Sequence, residues 1–363
     1  MSLLFYGYST GIFSSRKVEA ATYDSVAFRF IAGNRHPDHD TIAVFRKRFL
    51  SEIRGWFKEI LLIGKKLGLV KLGNIYINGT KIQANASRHK AMSYEYIKRL
   101  EAQLESEIKQ LLKLATAQDE KEKDHRLEIP EELRKARLEK MKQAKAVLEA
   151  RAAERYKQDK EVYGQRMEKR GQHEEKTGKK PRGKAPEPPS EVPKESDHYN
   201  FTDPESRIMK TSRGFDQCYN AQAAVNDMLI VGDCSNAHAN DNEEFIPTAA
   251  SVAPELGVIK TETADGGYFS ENNVLKVQGQ GIEPIIATAR EKHNSFLETY
   301  LQVQNTVNED ITVIGQMNQR LKSKEGGDIY KKRKQTIDPV FGIIKKALGF
   351  RRFLLRGEQQ TDG

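Results

Sequence analysis

Between residues 17 and 70, apolar side chains recur at intervals of three and four, the period of amphipathic helices. KVEAATYDSVAFRFIAG reads as helical, NRHPDHD as a turn, and TIAVFRKRFLSEIRGWFKEILLIGKKLG as a longer helical stretch. Asp40 before Thr41 is the expected N-cap. Ile42, Phe45, Phe49, Ile53 and Phe57 form the apolar stripe, and Arg46, Lys47 and Arg48 leave a basic face opposite. The period then changes. KLGNIYINGTKIQANASRHK alternates like a strand pair over 71–90, and its Asn78-Gly79 has the residues of a tight hairpin turn.

From 91 to 170 the chain is charged and helical in pattern. Ile97, Leu100, Leu104, Ile108 and Leu111 mark one seam, and Leu133, Met141, Ala144 and Leu148 a second beyond a break at Pro130. Two antiparallel helices packed along these seams are expected, either as a solvated hairpin or as a dimerisation arm. Residues 171–197 are rich in lysine, proline and glycine and read as a flexible basic linker. After 198, RIMKTS, FDQCYNAQAAVN and MLIVGDCSN suggest three neighbouring strands. A helix follows around NEEFIPTAASVAPEL, then strand-turn segments at KTETADGGYF and GIEPIIATA, then a basic helical block with Pro339 near its start. The helical block at 91–170 therefore interrupts an α/β domain, which comprises 71–90 plus 198–363, and residues 1–70 form a small all-α domain before it.

Charge narrows the choice of partner. Lys and Arg exceed Asp and Glu, for a net charge of +9 in 363 residues. That balance suits nucleic acid first and an anionic membrane surface second. Two cysteines, Cys218 and Cys234, are too few for a disulfide framework and read as buried reduced thiols. No apolar run approaches a membrane span, and the N-terminus lacks a signal-peptide pattern, so a soluble protein of a reducing compartment is expected. His36 and His39 flank a Pro-Asp pair without a nearby cysteine, which favours a polar turn over a zinc site.

Three positions in the α/β part could carry chemistry: Asn78 on the first strand, Asp265 after a strand and before Gly266-Gly267, and Asp338 at the start of the last helix. Taken singly, an Asp before Gly-Gly is a turn residue and an Asp before Pro a helix cap. Together, oxygen ligands on rigid elements are what two-metal phosphodiester chemistry requires.

The blocks NGTKIQANASRHKAMSYEYI, FTDPESRIMK, GFDQCYNAQAAV, TADGGYFSENNV, GIEPIIA and RKQTIDPVFGIIKKALGFRRFLLRG resemble, in order, the DDE transposases of bacterial insertion sequences. The likeness runs from about residue 20 to 357 and is greatest to the subgroup with a long helical insert after the first catalytic strand. It implies an RNase H-like mixed sheet with flanking helices, interrupted by a helical-hairpin insertion and preceded by a helical domain. It also implies a metal-binding triad at positions 78, 265 and 338 that holds two Mg²⁺ ions, with Mn²⁺ able to substitute. The expected partners are double-stranded DNA, as terminal inverted repeats and target, and a second protomer in a synaptic complex. The expected location is the cytoplasm, at the bacterial nucleoid, with no membrane partner.

Carried over by position, the family's first Asp falls on Asn78 and its Glu on Asp338, while Asp265 fits. Tyr330, Arg333, Asp338 and Lys345 follow the order of a tyrosine-arginine-glutamate-lysine signature, with Arg333 and Lys345 as phosphate contacts. Asp338 and Lys345 stand seven apart, two turns along one helical face. Two departures, one lost charge and one shortened side chain, imply impaired strand cutting. The chain also reads as trimmed at both ends relative to the family. Two other readings stand beside this one. One is a remnant that only binds DNA, through Arg46, Arg48, the lysines of 176–184 and the last helix. The other is an interaction protein built on the 91–170 hairpin.

Overall fold

The computed structural model describes residues 1–119, 131–179, 183–288 and 312–362. They fall into two compact units, residues 1–86 with 205–363 and residues 87–204. Among the described residues no helix is long and apolar enough to cross a membrane.

The larger unit opens with helices α1 (Ser2–Ser9), α2 (Ser15–Asp24), α3 (Val26–Ile31), α4 (His39–Arg48) and α5 (Leu50–Lys66). Leu4, Val18, Phe28 and Ile42 close a small core among the first four. The cap of α4 is Asp38, not Asp40: its carboxylate accepts the Thr41 N–H at 2.8 Å. The helical stretch after it breaks at Phe49, and α5 turns Leu61 and Phe57 into the core of the sheet. His36 bonds Thr22 and His39 bonds Glu19, so both histidines serve the fold of this turn.

The sheet is built on β1 (Asn74–Gln83). The Asn78-Gly79 pair lies inside this strand rather than at a turn, and residues 71–90 hold no strand pair of their own. Tertiary pairing overrides the local signal: β1 runs antiparallel to β5 (Gly214–Asn226) from Tyr76 to Gln83, with Asn78 opposite Ala223 and Gly79 opposite Gln222. Glycine is needed here for another reason. A Cβ at position 79 would collide with the buried Gln222 amide.

The neighbouring strands are β4 (Arg207–Thr211) and β6 (Leu229–Asn236), both on the far edge of β5, as their sequence order suggests. On the other side of β1 lie β7 (Thr261–Ala264) and β8 (Glu283–Ile286), parallel to it. Helices cover both faces. α8 (Phe245–Ala250), α9 (Glu271–Gly279) and α10 (Val313–Lys322) pack with α5 against Ile75, Ile77 and Val231. On the other face α11 (Lys324–Thr336) and α12 (Asp338–Gly342) set Ile337 and Val340 against Tyr76 and Val225. A π-turn, Ile343–Ala347, continues α12. The closing block is therefore not one uniform α-helix, and a seven-residue spacing does not translate into two regular turns.

The smaller unit pairs α6 (Tyr94–Asp119) with α7 (Glu131–Thr177). Ion pairs Glu107–Arg134 and Glu101–Lys145, with the Tyr94–Glu149 hydrogen bond, run in opposite senses along the two helices, which makes them antiparallel. Ile97, Leu100, Leu104, Met141, Ala144 and Leu148 close the seam, but Leu133 stays exposed, because the repeat that reaches Met141 passes through Leu138 instead. α7 runs on to Thr177, into the segment whose composition reads as linker. The break around Pro130, and Lys180, Pro181 and Arg182 of the basic run, lie outside the described residues. A short ladder of β2 (Ala91–Ser93) with β3 (His198–Asn200) closes the base of this unit. Among the described residues the two cysteines form no disulfide. Cys218 is fully buried, with its thiol pushed up to about 12 by burial, whereas Cys234 is only half-buried.

Two stability predictions follow from backbone and burial. The β5–β6 hairpin turns on Asp227 and Met228, both at positive φ, the geometry of a type I′ turn. An exposed methionine there carries a Cβ penalty, so Met228→Gly is expected to stabilise the protein by about 1 kcal/mol in denaturant titrations. Glu262 is 1 % exposed, its Oε2 has no hydrogen-bond partner among the described residues, and burial raises its carboxyl to about 7. The neutral form is thus favoured on folding. The ionisation penalty is absent below the unfolded value near 4.5, grows as pH rises towards 7 and then levels off. Glu262→Gln should therefore stabilise by about 2–3 kcal/mol at pH 8 and much less at pH 5.

Candidate active site

β1 is the central strand, and its chain runs from the buried Ile75-Tyr76-Ile77 segment out to the half-buried Asn78. Its last parallel pair with β7 is Tyr76 with Thr263. Asp265 follows directly on the end of β7, and the strand alternation puts it on the same face as Asn78. The third group comes from α12. Ile337 and Val340 pack against Tyr76 on this face, and Asp338 between them reaches Asn78, whose Nδ2 lies 3.4 Å from its Oδ1. Asn78 and Asp338, far apart in the chain, thus meet, and Asp265 follows β7 at the same end of the sheet.

Local geometry makes each available. Asp338 occupies the first position of α12, the cap position being Ile337, and it makes no capping bond. Asp265 accepts the Gly267 N–H at 2.8 Å, and its carbonyl takes the Tyr268 N–H, closing a tight turn. Neither Gly266 nor Gly267 uses a positive φ there. Gly267 serves instead by close approach, since a Cβ would stand 3.0 Å from the Asp265 carboxylate. The Asn78 amide is committed on both sides: its Oδ1 accepts the Gly79 N–H at 2.9 Å while its NH₂ faces Asp338.

The signature cations lie in different settings. Arg333 is buried, its guanidinium stands 5.7 Å from the Tyr330 ring centre, and its Nε has no hydrogen-bond partner among the described residues. Lys345, on the π-turn, donates to the Thr80 hydroxyl and to the Lys81 carbonyl, so it flanks β1 two residues beyond Asn78. Burial, and then the charge of Lys81, pull its ammonium below the usual lysine range. The two N-terminal arginines lie on α4. Arg46 is taken up by the Tyr8 hydroxyl at 3.0 Å and the Phe13 carbonyl, while Arg48 is exposed, over the ring of Phe49.

A polar network behind the site escaped the sequence reading. Asp241 Oδ1 accepts from Lys81 Nζ at 2.9 Å, Asn220 Nδ2 at 2.8 Å and Gln222 Nε2 at 3.1 Å. The Gln222 carbonyl in turn accepts the buried Tyr268 hydroxyl at 2.5 Å. Gln222 therefore links the Gly79 backbone to the turn that carries Asp265. The signal was present: Asn220 and Gln222 are polar residues in a buried stretch with Cys218, Tyr219, Ala223 and Ala224, and such groups need partners. Tyr268→Phe, which leaves the Gln222 oxygen unpaired, should cost about 1–3 kcal/mol in chemical denaturation.

Comparison with known families agrees with this geometry. Residues 184–362 match a family described as a transposase DDE domain, and residues 1–48 one described as a transposase domain (DUF772). No curated protein and no solved structure matches the chain. The two family matches together cover well over half of the sequence and lie in the order expected of one protein; the DDE-domain match includes Asp265 and Asp338, while Asn78 lies between the two matches. The chain belongs to the DDE transposases of insertion sequences.

Proposed function

We propose that Asn78, Asp265 and Asp338 mark the centre where this transposase's DNA-cutting and strand-transfer chemistry takes place, and that this chemistry is impaired here. The observation that carries the reading is the approach of Asn78 to Asp338 at 3.4 Å, with Asp265 at the end of the neighbouring strand β7. The mixed sheet, antiparallel on one side of β1 and parallel on the other with helices on both faces, supports an RNase H-like description of the domain. The paired helices α6 and α7 are then an insertion after its first strand, and α1 to α4 a helical domain before it.

The family implies a divalent metal, and the donor set can be tested against that. Two divalent ions bring four positive charges within roughly 3.5–4 Å of each other, so carboxylates must offset their repulsion. Positions 265 and 338 supply two. Asn78 is neutral, and its only ligating oxygen is held by the Gly79 N–H. Among the described residues no group of three His, Cys, Asp or Glu could hold a metal ion. A two-ion Mg²⁺ centre does not fit these residues. Asp338 is also one methylene shorter than the family's Glu, roughly 1.5 Å of reach, where such sites tolerate about 0.5 Å.

The remaining groups suit phosphate binding. A buried guanidinium without a partner for its Nε gains from an anion, and its planar fork matches phosphate oxygens. Arg333 would hold one phosphate, with Tyr330 behind it and Lys345 beside β1, and Arg48 would add a contact from the helical domain. Arg46 is the weaker candidate, because Tyr8 and Phe13 already engage it. The same groups support the second reading, a transposase that binds its DNA ends as a dimer without cutting them.

Cleavage of supercoiled plasmid in Mg²⁺ or Mn²⁺ tests the proposal. The unaltered chain should cut weakly. Asn78→Asp combined with Asp338→Glu should raise the rate on the order of a hundredfold, well above either change alone. Robust cutting by the unaltered chain would refute the impairment, and an inert double variant would refute the assignment of the centre.

A further inference from the structure

Beyond β1 the chain returns to the same strand from the far side. After the π-turn, Arg351 to Phe353 lie alongside the end of β1: Gln83 N–H donates to the Arg351 carbonyl at 3.1 Å, and Phe353 N–H to the Gln83 carbonyl at 2.8 Å. Phe353 anchors this segment, packing edge-on to Tyr219 and Phe350 beside Ala84 and Ala237. The arginines around that anchor stay exposed. Arg352 Nη2 reaches the Gln83 side-chain oxygen at 3.3 Å, Arg356 Nε the Asn85 carbonyl at 3.1 Å, and Arg351 Nε the Lys345 carbonyl at 3.0 Å. Each thus has one neutral acceptor, and none forms an ion pair among the described residues.

We propose that Arg351, Arg352 and Arg356 form a track for the DNA phosphate backbone, leading away from the Asn78–Asp338 centre along the end of β1. The inference rests on the transposase reading and adds a place to it. Three guanidiniums without acidic partners among the described residues, on a backbone fixed by strand pairing and by the partly buried Phe353, are pre-organised cations. Distance gives the register. Five residues of strand separate Asn78 from Gln83, about 17 Å. At about 3.4 Å per nucleotide along a duplex, Arg352 meets the backbone roughly five base pairs from the reacting phosphate, and Arg356 lies further on. Lys345, bonded to Thr80, stands between the centre and the track.

The salt dependence of binding to a mixed-sequence duplex of about 30 base pairs, measured on the full chain in EDTA, tests this. Changing all three arginines to Gln should make the slope of log affinity against log salt shallower by about 2–3, and the corresponding Lys variant should keep the original slope. Arg356→Gln alone, the mildest change, should lower it by about 0.9. A Gln variant that keeps the full slope overturns the track. So does a Lys variant that loses as much as the Gln variant, since the side chains would then act through their hydrogen bonds and not their charge. If the unaltered chain shows no salt-dependent duplex binding, or binds vesicles of anionic lipid in its place, the transposase reading falls as well.

Discussion

Hydrogen bonding along both edges of β1 fixes the position of Asn78 and of the strands on either side of it. One edge runs antiparallel to β5 for eight residue pairs, and the other runs parallel to β7 and then is released where β7 stops. That release leaves Asn78 at the margin of the sheet with its neighbour's N–H unused by the ladder and taken by its own side chain. The same end of the sheet carries Asp265, directly after β7. Shifting β1 by one residue would turn Asn78 to the opposite face, away from α12 and Asp338.

What fixes the register is burial on two sides. Ile75 and Ile77 belong to the large core under α5, α8 and α9, while Tyr76 belongs to the smaller one under α11 and α12. The Gln222 network adds a polar lock to this apolar one. It ties β1 at Gly79, the Asp265 turn through Tyr268 and the β6–α8 connection through Asp241. A buried network of this kind is favourable only when all its members are satisfied, and here three donors meet one carboxylate oxygen.

Charge is distributed with a purpose along this frame. The carboxylates are gathered at the end of the parallel strands, and the cations flank them: Arg333 buried behind, Lys345 on the π-turn, and the arginines of the last segment on the outgoing side of β1. π-Turns often mark functional positions because they re-aim a side chain without breaking the helix. Here the turn delivers Lys345 to Thr80, a contact that the residue spacing alone would not place. In the proposed centre the deficit sits at Asn78, a neutral amide whose oxygen is held by the Gly79 N–H.

The sequence by itself determined most of the helix seams of the smaller unit and the strands from 207 to 236, because each is written in local periodicity. It misplaced the cap of α4, the role of Asn78-Gly79 and the end of α7. In each case two local signals competed, and packing or strand pairing chose between them. Asn-Gly is turn-competent anywhere, but with partners on both edges of β1 the ladder outweighs the turn. Only the tertiary structure decided that Gly267 is small to make room for a carboxylate, that Gln222 couples two strands, and that the final arginines lie beside Gln83. These are contacts between residues as much as 269 positions apart, and no pattern along the chain encodes a distance across it.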